Sequence, residues 1–291
     1  MLTLRLNATM NENRKTALLC PNCRRLVSAD EPRCPHCGTV RPGAWWKNNA
    51  LTRALYDQSG LVRAVIALNI GMYLLSLLIN SRLPALTANP FALLSPESRS
   101  LLFLGATGSI PIERFGRFWT VISAMYLHGG LLHIVFNMIA FSQLAPRVVR
   151  EFGTYRTLAI YTMGGAIGFW ISYRAGVTFT IGASGAVCSL IGALLYYGKS
   201  RGGIYGQALF RHVGGWAIGI LIFGLLMPGI NNWAHGGGFA AGIALAYLLG
   251  YLERRTEGRM DRILGAAAGV ATGGVLLWAA ASGIYLRLQG V

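Results

Sequence analysis

The stretch "TIGASGAVCSLIGALLYYG", Thr180–Gly198, decides how this chain is read. It carries no charge, and near its start Ser184 stands between Gly182-Ala183 and Gly185-Ala186. A long uncharged run of this kind is a helix that lies in lipid or deep in protein. Small residues around a hydroxyl let a second helix, or a substrate strand, approach it closely. Ser184 is therefore read as a candidate nucleophile, and the rest of the chain has to supply its partners.

Composition sets the surroundings. Of 291 residues, 54% are hydrophobic and 12% charged, against about 25% charged in an ordinary soluble domain. Apolar segments recur at about 61–80, 131–149, 156–175, 184–198, 213–230, 234–252 and 263–286. Each approaches the ~17–25 residues that cross a bilayer core. The expected fold class is thus an all-α polytopic membrane protein with seven transmembrane helices. The fourth and sixth segments are short or rich in glycine, as expected of helices enclosed by protein rather than lipid. The first 20 residues hold no apolar core of signal-sequence length, so insertion is expected to rest on the first span.

The net charge is +16, with 26 Lys and Arg. Sorted by connection, ten fall in residues 1–63, three in 147–156, three in 199–211 and four in 254–262. The alternate connections hold six: Arg82, Arg99, Arg114, Arg117, Arg174 and Arg287. The positive-inside rule then predicts a cytoplasmic amino terminus and an external carboxyl terminus. The expected location is a bacterial inner (cell) membrane, and the basic excess marks orientation rather than nucleic acid as a partner. Residues 81–118 form a long connection with four prolines, read as a loop partly embedded at the membrane interface.

Residues 1–60 read as a cytoplasmic region ahead of a membrane domain at 61–291. Within it, "CPNCRRLVSADEPRCPHCG" sets Cys20, Cys23, Cys34 and Cys37 as two C-x2-C pairs ten residues apart. Four thiolates on two tight turns suit tetrahedral zinc, and a reducing cytoplasm disfavours disulfides. The segment, about 18–42, resembles a zinc ribbon with a structural or binding role, open to an unidentified cytoplasmic partner. His36 is surplus to a four-cysteine site. In the linker, Trp45 and Trp46 are candidates for headgroup anchoring.

Three histidines, His128, His133 and His235, belong to the apolar part of the chain's outer half. "HGGLLHIVFNM" carries His128, His133 and Asn137, the last two four residues apart and so on one helix face. "NNWAHGGGFAAG" carries His235, with Gly238 and Gly242 continuing its face. Gly185, Ser189 and Gly192 give the Ser184 helix a similarly small face. No carboxylate falls within the segments above. This excludes an embedded aspartyl dyad, an H-E-x-x-H zinc protease and a Ser-His-Asp triad, and it disfavours a proton-coupled carrier. A serine–histidine dyad remains.

"RFWTVISAMYLHGGLLHIVFNM", "GASGAVCSLIGA" and "AHGGGFAAG", in this order, resemble the signature regions of the rhomboid intramembrane serine proteases, and the likeness covers roughly 100–255. The resemblance implies a rhomboid-like bundle of six plus one helices. It implies an endopeptidase that cuts single-span membrane proteins near the outer face of the bilayer, with no cofactor in catalysis. It makes Ser184 the nucleophile and His235 the general base. His133, Asn137 and the Ser184 backbone N–H become the oxyanion donors. The chain departs from the family where Thr120 follows Trp119, at Val149, and at Cys188, where an aromatic is frequent. The competing reading is a catalytically silent relative that binds membrane helices.

Overall fold

A computed structural model describes residues 17–21, 25–45, 58–81, 92–227 and 229–290. Cys23, Trp46 and most of the first half of the 81–118 connection lie outside the described residues. The chain divides into two units, residues 1–60 and 61–291.

In the first unit, strands β1 (Ala17–Leu19) and β2 (Leu26–Ser28) pair antiparallel, Leu18 opposite Val27. Cys20 closes the hairpin by donating its N–H to Arg25 O at 2.9 Å. A second turn repeats the device. Arg33 bridges Val40, and Cys34 N–H reaches Thr39 O at 2.8 Å. Gly38 takes φ +73° there, a left-handed value natural to glycine.

The second unit is helical. Its long helices are α1 (Gln58–Leu78), α4 (Leu131–Phe152), α5 (Thr154–Arg174), α6 (Ser184–Arg201), α7 (Gly203–Leu226), α8 (Asn232–Leu249) and α9 (Arg259–Leu288). Two short helices, α2 (Ser98–Phe103) and α3 (Thr120–Ser123), lie in the connection before α4, with a wide turn at Ile110–Arg114 between them. From residue 92 on, this connection is more ordered than a loop reading implies. Ser123 Oγ donates to Gly105 O at 2.7 Å, and Arg117 to Leu102 O at 3.1 Å.

Each expected apolar segment coincides with a helix, but the ends differ. The 199–211 connection is mostly helix: Gly202, at φ +67°, breaks the chain in one residue and α7 restarts at Gly203. Lys199 and Arg201 lie in the last turn of α6 and Arg211 lies inside α7, and their charges make the stretch read as a loop in the sequence. α4 and α9 also run past the apolar segments and take in Glu151 and Asp261. Among the described residues, α1 (from Gly60), α4, α7 and α9 are long and apolar enough to cross a membrane. α6 and α8 have 18 residues, about 27 Å at 1.5 Å per residue, slightly short of a ~30 Å hydrocarbon core. Their place is central. Almost every residue of α6 from Gly185 to Gly198 is buried, and α8 packs chiefly on α6 and α5.

The added last helix is fastened at its start by a buried ion pair. Arg156 and Asp261 are almost completely buried, 3.1 Å apart. Asp261 also accepts from Arg255 at 2.9 Å and from Gly258 N–H at 2.8 Å. Arg156 donates as well to the carbonyls of Arg255 and Thr256. These bonds to both terminal guanidinium nitrogens and both carboxylate oxygens are what let the charges persist away from water. Arg156 Nε is left without a partner among the described residues. Beside it, Glu257 accepts the Arg156 N–H at 2.9 Å, and burial pushes its carboxyl above the usual range.

Candidate active site

Ser184 is the first residue of α6, and the chain leading to it is pinned at two points. Thr180 exchanges backbone hydrogen bonds with Thr107, at 2.7 and 3.1 Å. Gly182 N–H donates to Ala124 O at 2.8 Å. Gly182 takes φ +123°, and a Cβ placed there would lie 2.8 Å from His133 Nε2 and 3.7 Å from Ser184 Oγ. Glycine is required here twice, by its backbone angle and by the ring that occupies the side-chain space.

His235 lies in the first turn of α8. Its Nε2 is 2.7 Å from Ser184 Oγ, a full hydrogen bond between residues 51 apart in sequence. That approach depends on bare backbone. A Cβ on Gly238 would sit 2.1 Å from Gly185 O, one on Gly242 1.9 Å from Ser189 O, and one on Gly192 2.2 Å from Phe239 O. Gly168 of α5 meets Ala234 O and Gly238 N in the same way. The glycine faces read from the sequence are the faces in contact. His235 Nδ1 is buried without a hydrogen-bond partner among the described residues.

His133 sits one turn into α4, and its Nδ1 accepts from Gly129 N–H at 3.2 Å. In a neutral imidazole the other nitrogen then carries the proton, so Nε2–H faces the space beside Gly182 and Ser184. His128 is fully buried, its ring edge-on to that of His133 at 5.0 Å. It acts as packing for that ring. Asn137 is buried one turn further on, and its amide donates to His133 O at 2.9 Å, which leaves one amide proton. Cys188 is buried within α6. Thr120 Oγ1 donates to Arg117 O at 2.6 Å and lies 3.0 Å from Thr107 Oγ1, and Val149 is buried near the far end of α4.

Two contributors escaped the sequence reading. Gly129 supplies the N–H that sets the His133 tautomer. Asn231 caps α8, accepting from Ala234 N–H at 3.0 Å. An Asn before a helical Trp-Ala-His is a legible cap signal; the Gly129 contact has no sequence signature.

In the first unit, the thiol sulfurs of Cys20, Cys34 and Cys37 lie within 4.8 Å of one another, those of Cys20 and Cys37 3.6 Å apart. A disulfide needs about 2.05 Å. Thiolates at ~2.3 Å from one tetrahedral zinc would stand about 3.8 Å apart. The donor set therefore fits a metal held by sulfur.

Known proteins bear on the membrane unit. The Rhomboid domain family matches residues 116–252, which include Ser184, His235, His133 and Asn137. RHOMBOID-like protein 4 of Arabidopsis thaliana is 33% identical over 161 residues, 54% of this chain and 40% of that protein. RHOMBOID-like protein 5 of the same plant is 34% identical over 163 residues, 54% of this chain and 52% of that protein. Rhomboid protease GluP of Bacillus subtilis is 31% identical over 181 residues, 61% of this chain and 34% of that protein. The matched segments thus span about a third to a half of these relatives.

Proposed function

The chain belongs to the rhomboid family through its domain at residues 116–252 and is an integral membrane protein; from that premise we propose that it is an intramembrane serine endopeptidase. Its substrates are single-span membrane proteins, cut near the outer membrane face. The observation that carries the reading is the 2.7 Å contact between Ser184 Oγ and His235 Nε2, made across a glycine-lined helix interface.

In the proposed reaction, His235 Nε2 takes the Ser184 proton as Oγ attacks the scissile carbonyl. The oxyanion is met by the Ser184 N–H, His133 Nε2–H and the remaining Asn137 amide proton. Donors of this kind are worth about 2.7–4 kcal/mol each in the transition state. A helix amino terminus favours the same charge. The intermediate collapses by breaking the C–N bond, and His235 gives its proton to the leaving amine. Water, deprotonated in turn by His235, then hydrolyses the acyl-Ser184 ester. Among the described residues no carboxylate orients His235, and its Nδ1 is buried without a partner there.

The proposal extends to topology, with the amino terminus in the cytoplasm and the carboxyl terminus outside, and to one structural zinc on Cys20, Cys23, Cys34 and Cys37. A fluorophosphonate probe and a single-span helix in liposomes test the enzyme. The native protein should react with both, whereas Ser184→Ala and His235→Ala should do neither and Asn137→Ala should act slowly. Normal cleavage by Ser184→Ala would refute the mechanism. A native protein that binds the helix but neither cleaves it nor labels would be the silent relative instead.

A further inference from the structure

Ser184 and His235 lie on different helices, and proton transfer between them needs the two helix starts held in register. The side chain of Asn231 links the two starts. Asn231 stands four residues before His235, and its Oδ1 is committed to the α8 cap through Ala234 N–H. That contact fixes which end of the amide is oxygen. Nδ2 then has two protons, and the structure uses both. One goes to Ser172 Oγ at 2.6 Å, near the end of α5; the other goes to Thr180 Oγ1 at 2.8 Å, four residues before Ser184.

Thr180 is held from its other side too, by the paired backbone bonds to Thr107. Thr107 Oγ1 in turn is hydrogen-bonded to Thr120 Oγ1 at 3.0 Å. Ser172 and Thr180 are both buried, so a lost bond there is not replaced by bulk water. The glycine contacts between α6 and α8 limit how close the helices come, but they are smooth and do not prevent sliding. A directional bond from the base's helix to the nucleophile's lead-in segment does.

We propose that Asn231 and Thr180 form a cross-brace that positions His235 against Ser184, making both positioning residues for the reaction. The inference rests on the protease reading above. Neither residue touches the reacting atoms in it.

The test uses the full chain in liposomes with three variants. Thr180→Val keeps shape and the backbone pairing with Thr107 but removes the acceptor. Asn231→Ser keeps a helix cap and is too short to reach Ser172 and Thr180. Thr180→Ser restores the hydroxyl. A misplacement of order 1 Å in a catalytic pair costs roughly 100-fold. Thr180→Val and Asn231→Ser should therefore lower kcat and the fluorophosphonate labelling rate by about 10–100-fold, with KM within about twofold. Thr180→Ser should recover most of the rate, and the double variant should lose little more than either single one. Labelling within twofold of native in Thr180→Val would overturn the brace. So would an equal loss in Thr180→Ser, or a loss that tracks the unfolded fraction on heating. A native protein that never labels defeats the protease reading instead. The brace is then judged by the Ser184 Oγ–His235 Nε2 separation in Thr180→Val, and an unchanged 2.7 Å would overturn it.

Discussion

Gly238→Ala should disable the site without adding or removing any reactive group. Gly238 lies three residues beyond His235, and a methyl there would stand 2.1 Å from Gly185 O, the carbonyl next to Ser184. Real Cβ atoms keep at least 3.0 Å from such neighbours, so α8 and α6 must part by about 0.9 Å. The obstacle is backbone and cannot rotate away. Carried to the dyad, that displacement stretches the 2.7 Å bond to roughly 3.6 Å, where a hydrogen bond is lost. The expected loss is about 100-fold in kcat, with about 1–3 kcal/mol of overpacking strain. Gly236→Ala is the control, because nothing lies within 4 Å of its Cβ position. The assay pairs helix cleavage and probe labelling in liposomes with thermal unfolding in detergent. If Gly238→Ala labels as fast as Gly236→Ala while remaining folded, close backbone contact is not what sets the dyad.

Three further outcomes are expected. The purified full chain should carry one zinc, lost in Cys34→Ser; elemental analysis showing no zinc in the native chain would contradict the sulfur site. Breaking the buried Arg156–Asp261 pair with Asp261→Leu should cost about 3–5 kcal/mol, seen as a fall in unfolding temperature that Arg156→Leu in the same chain partly reverses. Reporter fusions should place the amino terminus in the cytoplasm and the carboxyl terminus outside; both on one side would refute the seven spans, and the reverse placement would refute the charge-based orientation.

How much of this was legible depends on what each feature needs from the chain. The seven helices show in the sequence because burial in lipid or protein demands long apolar runs. Their ends do not, because a helix stops where one glycine permits a sharp turn and not where hydropathy falls. Gly202 and Gly153 illustrate this: each ends one helix and starts the next within a residue or two. Glu151 and Asp261 were read as loop carboxylates for the same reason. The Arg156–Asp261 pair, 105 residues apart, leaves no local trace at all.

The candidate site divides along the same line. Ser184, His133, Asn137 and His235 stand out because the three segments that carry them resemble the family's signature regions, while the absence of carboxylates from the apolar segments narrows the chemistry to a dyad. What brings them together is either absence of side chain or ordinary polar residues. Glycine at 182, 185, 238 and 242 could be noticed as small, but what each one faces, the His133 ring for Gly182 and a backbone carbonyl for the others, follows only from the packed helices. Thr180, Ser172 and Asn231 look like loop and cap residues, and their convergence needs three helix ends to meet. The practical consequence concerns the absent third member of the dyad. With no carboxylate on His235 Nδ1 among the described residues, imidazole orientation is left to backbone proximity and to the helix that carries the ring. The residues that set that helix, Gly238 by contact and Asn231 by its bonds, are therefore expected to take over the positioning work that an aspartate performs in a triad.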